Sequence, residues 1–433
     1  MQKQQSNTSD FIEDYATTPV PQNKTVGGFR IGMINGGLAF AVPGLITGIE
    51  IGNALGFEQS LYAFLLGGLI LSILGVITGL VGKHNRLASC MMMKFVFGRQ
   101  GANILSVTFV VALLGWYGVN IDLFSDATER LLLDVFDYHV SIYVLEIIIG
   151  FVVTLTTIWG FKLLEKISVL FVPLLFLVIA YMIFKSCTYS NSEQIDQHIE
   201  SSLTFGMAVS AVVGSFIVSV VLMPDFTRFA TDSKDTVIAS FLPFLFLSSF
   251  VYCASAYAGL AVGNGDVLSV MLTLGLGSFA FLLLILSSWI ANVINLYSAG
   301  LGITSLHTSL AEWKVILVAG ILGTIAATFN LLDSFTDFLF GLSIVFTPVA
   351  AIYVTDFFIL RKQKTYNVAE LEEVEMININ AMIAWGLSIL ITLMANNGLI
   401  TITSIEVCDA VLVSFPVYYL LSMKFNKSSA NSA

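Results

Sequence analysis

The sequence predicts an all-α polytopic membrane protein of about twelve transmembrane helices, and three observations predict it. Apolar residues make up 57% of the 433-residue chain, charged residues only 11%, and the mean hydropathy is +0.88. A soluble chain of this length needs far more charge to cover its surface. Apolar stretches of roughly 20 residues, enough to cross a hydrocarbon core of about 30 Å, recur along the whole chain. The basic residues fall almost entirely on one side of the topology these stretches define.

The stretches lie at 31–51, 61–82, 101–123, 142–160, 167–185, 205–223, 237–262, 278–303, 315–332, 338–360, 379–396 and 399–421, here spans 1 to 12. Only Asn396-Asn397-Gly398 divides the last two. With a cytoplasmic N-terminus and alternating sides, 17 of the 19 Lys and Arg residues face the cytoplasm, leaving Arg130 and Lys185 outside. The positive-inside rule predicts such an asymmetry, and omitting one span would scramble it. The expected organisation is a cytoplasmic N-terminal tail (1–29), a core of spans 1 to 10 (30–360), a cytoplasmic loop (361–378), two peripheral spans (379–421) and a cytoplasmic C-terminal tail (422–433). The expected location is the cytoplasmic membrane. The first thirty residues are polar, so no cleavable signal peptide is expected and span 1 serves as the insertion signal.

The net charge of −10 sits largely in external loops (Asp126, Glu129, Asp134, Asp137, Glu193, Asp196, Glu200) and in the acidic run 370–375, which read as solvated surface. No basic patch suggests nucleic acid. Cys90, Cys187, Cys253 and Cys408 are scattered without metal spacing and read as packing residues or free thiols. Gly82-Lys83 resembles the end of a phosphate loop, but the required first glycine falls at Ile77 and His84 follows. The histidines (His84, His139, His198, His307) lie in loops or at span ends, so no helix carries a paired-His metal site. No enzyme motif and no cofactor are expected.

Spans 1 and 6 are interrupted. Span 1 carries Gly36-Gly37 and Pro43-Gly44; span 6 carries Gly214-Ser215, with Pro224-Asp225 at its end. A helix broken in lipid frees backbone groups that survive only where they line a cavity or bind something. Interrupted helices at matching places in two halves mark the binding site of a secondary transporter. A small-molecule transporter is therefore expected.

Polar and aromatic residues inside the spans place the candidate site. In span 3, Trp116 and Asn120 are four apart and share a helical face, which suits a flat hydrogen-bonding ring, although a tryptophan packed between helices is the ordinary alternative. In span 6, unwinding at Gly214 and Ser215 would offer backbone to a ligand edge while Phe216 covers its face; a Gly/Ser helix contact is the alternative. In span 8, Ser287 and Ser288 precede Asn292 and Asn295, two amides that should face the interior for binding or interhelical bonding. Glu50 and Asp122 lie near the outer ends of spans 1 and 3, as coupling or gating groups or as interfacial structural acids. Gly75 and Gly79 in span 2 form a small-xxx-small packing pair.

The segments Gly115-Trp116-Tyr117-Gly118, Gly214-Ser215-Phe216-Ile217 and Pro224-Asp225-Phe226-Thr227-Arg228-Phe229 resemble the nucleobase–cation symporter family one, the bacterial cytosine permease branch in particular. Gly37-Leu38-Ala39-Phe40, Phe97-Gly98 and Leu296-Tyr297-Ser298-Ala299-Gly300-Leu301-Gly302 add to the likeness, which covers nearly the whole chain. The resemblance implies a five-plus-five inverted-repeat core with helices 1 and 6 unwound, two peripheral helices and alternating access. Trp116 and Phe216 match the rings that sandwich the base, Ser215 a backbone contact to it, and Gly37 and Phe40 span 1 groups near the cation site. Two positions depart from the branch: Ser287 stands where an Asn bonds the base, and Ile290-Ala291 where two Thr hydroxyls bind sodium.

The expectation is a symporter of a nucleobase, cytosine or a related purine or pyrimidine, read by Asn120, Ser287 and Asn292. Its coupling ion is H+ or Na+, with protons favoured through Glu50 or Asp122. Another planar ring, such as a hydantoin, an allantoin-like ureide or a hydroxymethylpyrimidine, is the runner-up. A channel is disfavoured by the lack of a charge ring or filter sequence, and a ligand-sensing receptor by the short termini. The Phe- and Leu-rich span surfaces suit lipid and partner subunits equally.

Overall fold

A computed structural model describes residues 15, 17–158, 160–189, 203–306, 310–329, 335–396, 399 and 401–430. Outside them lie the first fourteen residues, Glu193, Asp196, His198, Glu200, His307 and the Asn397-Gly398 divide. Among the described residues, seven helices are long and apolar enough to cross a membrane. Four shorter apolar helices (Ile142–Thr157, Phe205–Val221, Trp313–Ala327 and Ile379–Ala395) accompany them.

Span 1 begins as the helix Gly28–Ala39 and stops at Phe40. The chain re-enters helix at Val42, with Ala41 extended (φ −62°, ψ 148°) and Pro43 in the first turn, where its missing N–H is no loss. The break therefore falls at Phe40-Ala41, and Gly36-Gly37 remains helical. The helix Val42–Asn85 carries the rest of span 1 into span 2, turning at Gly56, whose φ of 74° suits glycine. Ser60 secures that turn by donating to the Gly56 carbonyl at 2.6 Å, with the Ile51 carbonyl as a second acceptor in reach at 3.0 Å.

Span 6 corrects an expectation. The helix Phe205–Val221 runs unbroken through Gly214 and Ser215 and departs from helix at Leu222 (φ −88°, ψ 7°), before the short helix Met223–Thr227. Gly214 is there for close approach: a Cβ would lie 2.9 Å from the Leu339 carbonyl carbon in span 10. The carbonyls freed at Leu222 are answered by the protein itself. Thr78 donates to Val220 at 2.8 Å and Tyr353 to Val221 at 3.1 Å. Span 3 is likewise one helix, Gly101–Phe136, straight through Gly115 and Gly118.

Packing divides the spans into two sets. Spans 1, 2, 6 and 7 pack on one another, as do spans 3, 4, 8 and 9. Small residues set the distances. Gly52 faces Ala256, Gly75 faces Phe244 and Gly79 faces Thr236, so the span 2 pair serves packing. In the second set, Gly323 meets the Tyr117 ring, and Tyr117 donates to the Gly150 carbonyl at 3.1 Å. Span 12 joins the core at the buried Asp356 on span 10, which accepts from Arg361, Tyr366 and Tyr418 at 2.8, 3.1 and 3.0 Å, and span 11 joins through Trp385, which donates to the Val345 carbonyl at 2.9 Å. The acidic residues of run 370–375 are exposed.

The N-terminal segment forms a strap across one face, the N-terminal face. Val20 donates to the Arg86 carbonyl at 3.0 Å, and Arg86 returns hydrogen bonds to the Val20 and Pro21 carbonyls at 2.6 and 2.9 Å. Val26 donates to Phe229 at 2.7 Å, and Gly28 to the Asp235 carboxylate at 2.6 Å. Arg228 is fully buried beneath the strap and donates to the Tyr15 and Asp225 carbonyls at 2.8 and 2.9 Å.

Candidate substrate site

A cavity opens between the two sets where span 1 is broken, with about 500 Å³ of atom-free space including its mouth. Leu38, Ala41, Pro43 and Gly44 line it from span 1, Ser215, Phe216, Val218 and Ser219 from span 6, and Tyr252 from span 7. Leu113, Trp116 and Asn120 face them from span 3, and Ala291 and Asn295 from span 8. The break contributes chemistry as well as room. A helix end presents unsatisfied carbonyls and a helix start presents N–H groups with partial positive charge. Both termini of the broken span meet at this cavity.

Two aromatic rings stand on opposite walls. Trp116, 8% exposed, is held edge-on by Phe338 at 5.2 Å and Phe335 at 5.9 Å from span 10. Phe216, 5% exposed, is held edge-on by Phe244 of span 7 at 5.8 Å. Rings fixed by such contacts are preorganised for a flat guest. Asn120 spends its amide N–H on the Trp116 carbonyl at 2.8 Å, and its buried Oδ1 has no protein partner. Ser215 reaches both the Val212 carbonyl (2.7 Å) and the Tyr252 hydroxyl (2.6 Å). A serine has one proton, so with that proton on Val212 it is Tyr252 that donates to Ser215.

Ser287 and Asn292 are fully buried but do not line this cavity. Ser287 turns back to the Leu284 carbonyl at 3.3 Å, while both polar atoms of Asn292 are buried without a hydrogen bond. Ala291 and Asn295, four apart, occupy the cavity wall instead. Gly37 also lies off the wall: a Cβ there would come 2.5 Å from Ile290 Cγ2, so span 8 covers it with an apolar side chain. Phe40 is fully buried at the end of the first helix.

Glu50 and Asp122 line a separate and wider vestibule of about 800 Å³ with Asp126, Arg130, Asp266 and Phe335. Phe335 thus borders the vestibule on one side and the Trp116 ring on the other. Arg130 bridges Asp126 of its own helix at 3.2 Å and Asp266 at 3.4 Å. Asp266 also caps the short helix Val267–Thr273, accepting from the Ser269 N–H at 2.8 Å. Burial pushes the Asp266 carboxyl upward, but the Ser269 hydrogen bonds and the Arg130 guanidinium outweigh it and hold it below the ordinary carboxylate range.

Sequence reasoning passed over Tyr252 because a lone tyrosine in an apolar span carries no pattern. It also passed over Glu146, which lies inside span 4 at 3% exposure. A carboxyl within 142–160 was the available signal.

The comparisons with known proteins agree with this architecture. A family described as permease for cytosine/purines, uracil, thiamine, allantoin matches residues 19–421. The cytosine permease of Escherichia coli (strain K12) is 27% identical over 352 residues, which is 81% of this chain and 82% of that protein. The cytosine permease of Escherichia coli O157:H7 is 26% identical over the same length. Mhp1, a nucleobase-cation-symport-1 family transporter solved in a closed conformation with bromovinylhydantoin bound, superimposes with a TM-score of 0.83 at 16% identity, covering 94% of this chain and 96% of that one. A Na+-coupled sialic acid symporter superimposes with a TM-score of 0.69 at 14% identity, covering 96% and 93%. The fold is therefore the inverted-repeat transporter core with two further helices. Matched over nearly its whole length, this chain belongs to the family of permeases for cytosine and purines, uracil, thiamine and allantoin, membrane transporters rather than enzymes.

Proposed function

We propose that the protein is a secondary symporter that imports a planar nucleobase, cytosine foremost, driven by a cation gradient. The observation that carries this reading is the cavity walled by Trp116 and Phe216, with Asn120, Asn295 and Ser219 at its edges. Base stacking on an aromatic ring is worth about 1–3 kcal/mol, and Asn120 Oδ1 supplies an acceptor for a ring or exocyclic N–H. The cytosine permease relatives favour cytosine over other rings. The breadth of the family description, with the hydantoin bound in Mhp1, keeps other planar nitrogenous rings as the second reading.

Protons are the favoured coupling ion. Sodium is a hard cation that wants oxygen ligands, whereas Ile290 covers Gly37 and neither Ile290 nor Ala291 has a side-chain oxygen. Of the two acids singled out in the sequence, Asp122 is partly buried and Glu50 is exposed, which favours Asp122 as the coupling group. The basic-residue asymmetry supports a cytoplasmic N-terminal face in the cytoplasmic membrane, with the vestibule outside.

Uptake of radiolabelled cytosine into proteoliposomes, under sodium and proton gradients imposed separately, tests this. Accumulation under a proton gradient alone is expected. Accumulation of labelled allantoin, a hydantoin or hydroxymethylpyrimidine without cytosine uptake would move the function to the second reading. No saturable accumulation of any ring would remove it.

A further inference from the structure

Glu146 is the anomalous acid of this membrane domain. It sits one helical turn below Ile142, which lines the vestibule. It is 3% exposed, and its Oε2 is buried without a hydrogen bond. An ionised carboxylate in that position has lost its water and gained no partner for that oxygen, which is costly. A structural acid would have its lone pairs satisfied, as Asp356 does with three donors.

Its surroundings are equally specific. Span 4 packs against spans 3, 5, 8 and 9. From span 3, Asp122 lies close enough for its charge to act on Glu146. Tyr117 of that span bonds Gly150, a turn further along span 4. Span 8, Ser278–Leu306, contains no Asp, Glu, Lys or Arg, and its Tyr297 reaches Arg228 at the N-terminal face. Span 9 carries its charges, Glu312 and Lys314, at the end away from Glu146, because Thr154 and Gly150 meet Gly320 and Thr324 in antiparallel order. On span 5, Lys185 stands over the Tyr181 ring. Arg130 of span 3, in the same vestibule, is bridged to Asp126 and Asp266, so no cation among these described side chains is given to Glu146 and a proton is the charge that can neutralise it.

We propose that Glu146 carries the coupling proton, exchanging it with Asp122 at the vestibule. Asp122 is the intermediary because it borders the vestibule and acts on Glu146 at once. It also stands two residues from Asn120 and six from Trp116 on one unbroken helix. A guest that shifts span 3 through Trp116 and Asn120 therefore shifts Asp122 relative to Glu146, so occupancy of the cavity changes which carboxyl holds the proton. The proton leaves one carboxyl oxygen, passes through the water that fills the vestibule and joins the other, with no further reactant. This assignment rests on the proton-coupled reading above.

The test is Glu146→Gln in proteoliposomes beside wild type, with accumulation under a proton gradient and cytosine–cytosine exchange measured on the same vesicles. A neutral amide cannot cycle a proton, so concentrative uptake should vanish while exchange persists, and Glu146→Asp should restore accumulation. Accumulation by Glu146→Gln overturns the assignment and leaves the transporter standing. Wild-type accumulation driven by sodium alone also overturns it, again leaving the transporter. A wild type that moves no cytosine removes the functional reading and this one with it. Should Glu146→Gln fail to fold, dicyclohexylcarbodiimide provides a direct readout on wild type, since a protonated carboxyl in apolar surroundings gives its proton to the carbodiimide nitrogen and adds through oxygen to the central carbon. An adduct on the Glu146 peptide that fades as pH rises is expected. No adduct across the pH series would overturn the proposal.

Discussion

Substituting Gly214 by alanine separates a packing glycine from a hinge glycine. The Cβ would stand 2.9 Å from the Leu339 carbonyl carbon and nearer still to its oxygen, whereas ordinary contact begins at 3.4 Å. The obstacle is backbone, which cannot rotate aside, so spans 6 and 10 must part by about 1 Å to bring that oxygen to ordinary contact. Overpacking of this kind costs about 1–3 kcal/mol. Replacing a helical glycine returns up to about 1 kcal/mol of helix propensity, so the net loss is roughly 0–2 kcal/mol. Gly341 on span 10 is the control, because a Cβ there meets nothing within 4 Å. Alanine at Gly341 gains the propensity without the clash, so the gap between the two variants, about 1–3 kcal/mol, isolates the contact. Thermal unfolding of the solubilised protein reads that gap, and cytosine binding reads the displacement of the neighbouring Ser215 and Phe216. Equal melting of Gly214→Ala and Gly341→Ala would refute the close approach of spans 6 and 10.

Trp116→Ala and Phe216→Ala should each weaken ring binding by about 1–3 kcal/mol in equilibrium titrations while the protein still inserts; wild-type affinity in both would remove the two-walled site. Tyr252→Phe should lower stability by about 0.5–1.5 kcal/mol through loss of the donor to Ser215, as read by melting. Ser287→Ala, by contrast, should leave cytosine affinity within about 0.5 kcal/mol of wild type, since Ser287 is off the cavity wall. Asp266 is held below the ordinary carboxylate value of about 3.9, so its cap on Val267–Thr273 is fully present above that pH and lost as pH falls through the lower folded value. Protection of the amides in that helix, after correction for intrinsic exchange, should be high at neutral pH, lower in acid, and low at both in Asp266→Ala; full protection in that variant at neutral pH would contradict the cap.

The apolar helices were legible because hydropathy is a sum over many residues. Pro43-Gly44 marked the span 1 break to within three residues, since proline excludes a preceding helical turn. Gly214-Ser215 misled because a glycine in a membrane helix serves close packing as readily as a bend, and only the position of Leu339 decides between them. Side-chain direction was the larger gap. Ser287 and Asn292 share span 8 with Ala291 and Asn295, yet each residue turns the helix by about 100°, so the cavity-facing positions depend on a register that composition does not encode. Glu146 escaped notice because an acid near a span end reads as interfacial, and its isolation follows from burial by neighbouring spans.

The strap beneath the core also sets an order of assembly. Tyr15 and Gly28 leave the ribosome first, yet their partners Arg228 and Asp235 follow 213 and 207 residues later. At about 5–20 residues per second, roughly 10–40 s of synthesis separates the two halves of each contact. Through that interval spans 1 to 5 must enter the bilayer with the leading segment undocked. Arg228 can become fully buried only once span 6 has delivered it to the waiting N-terminus. Closure of the strap is therefore a late step in biogenesis, and protease resistance around Val20 and Val26 would time the arrival of the second repeat during translation.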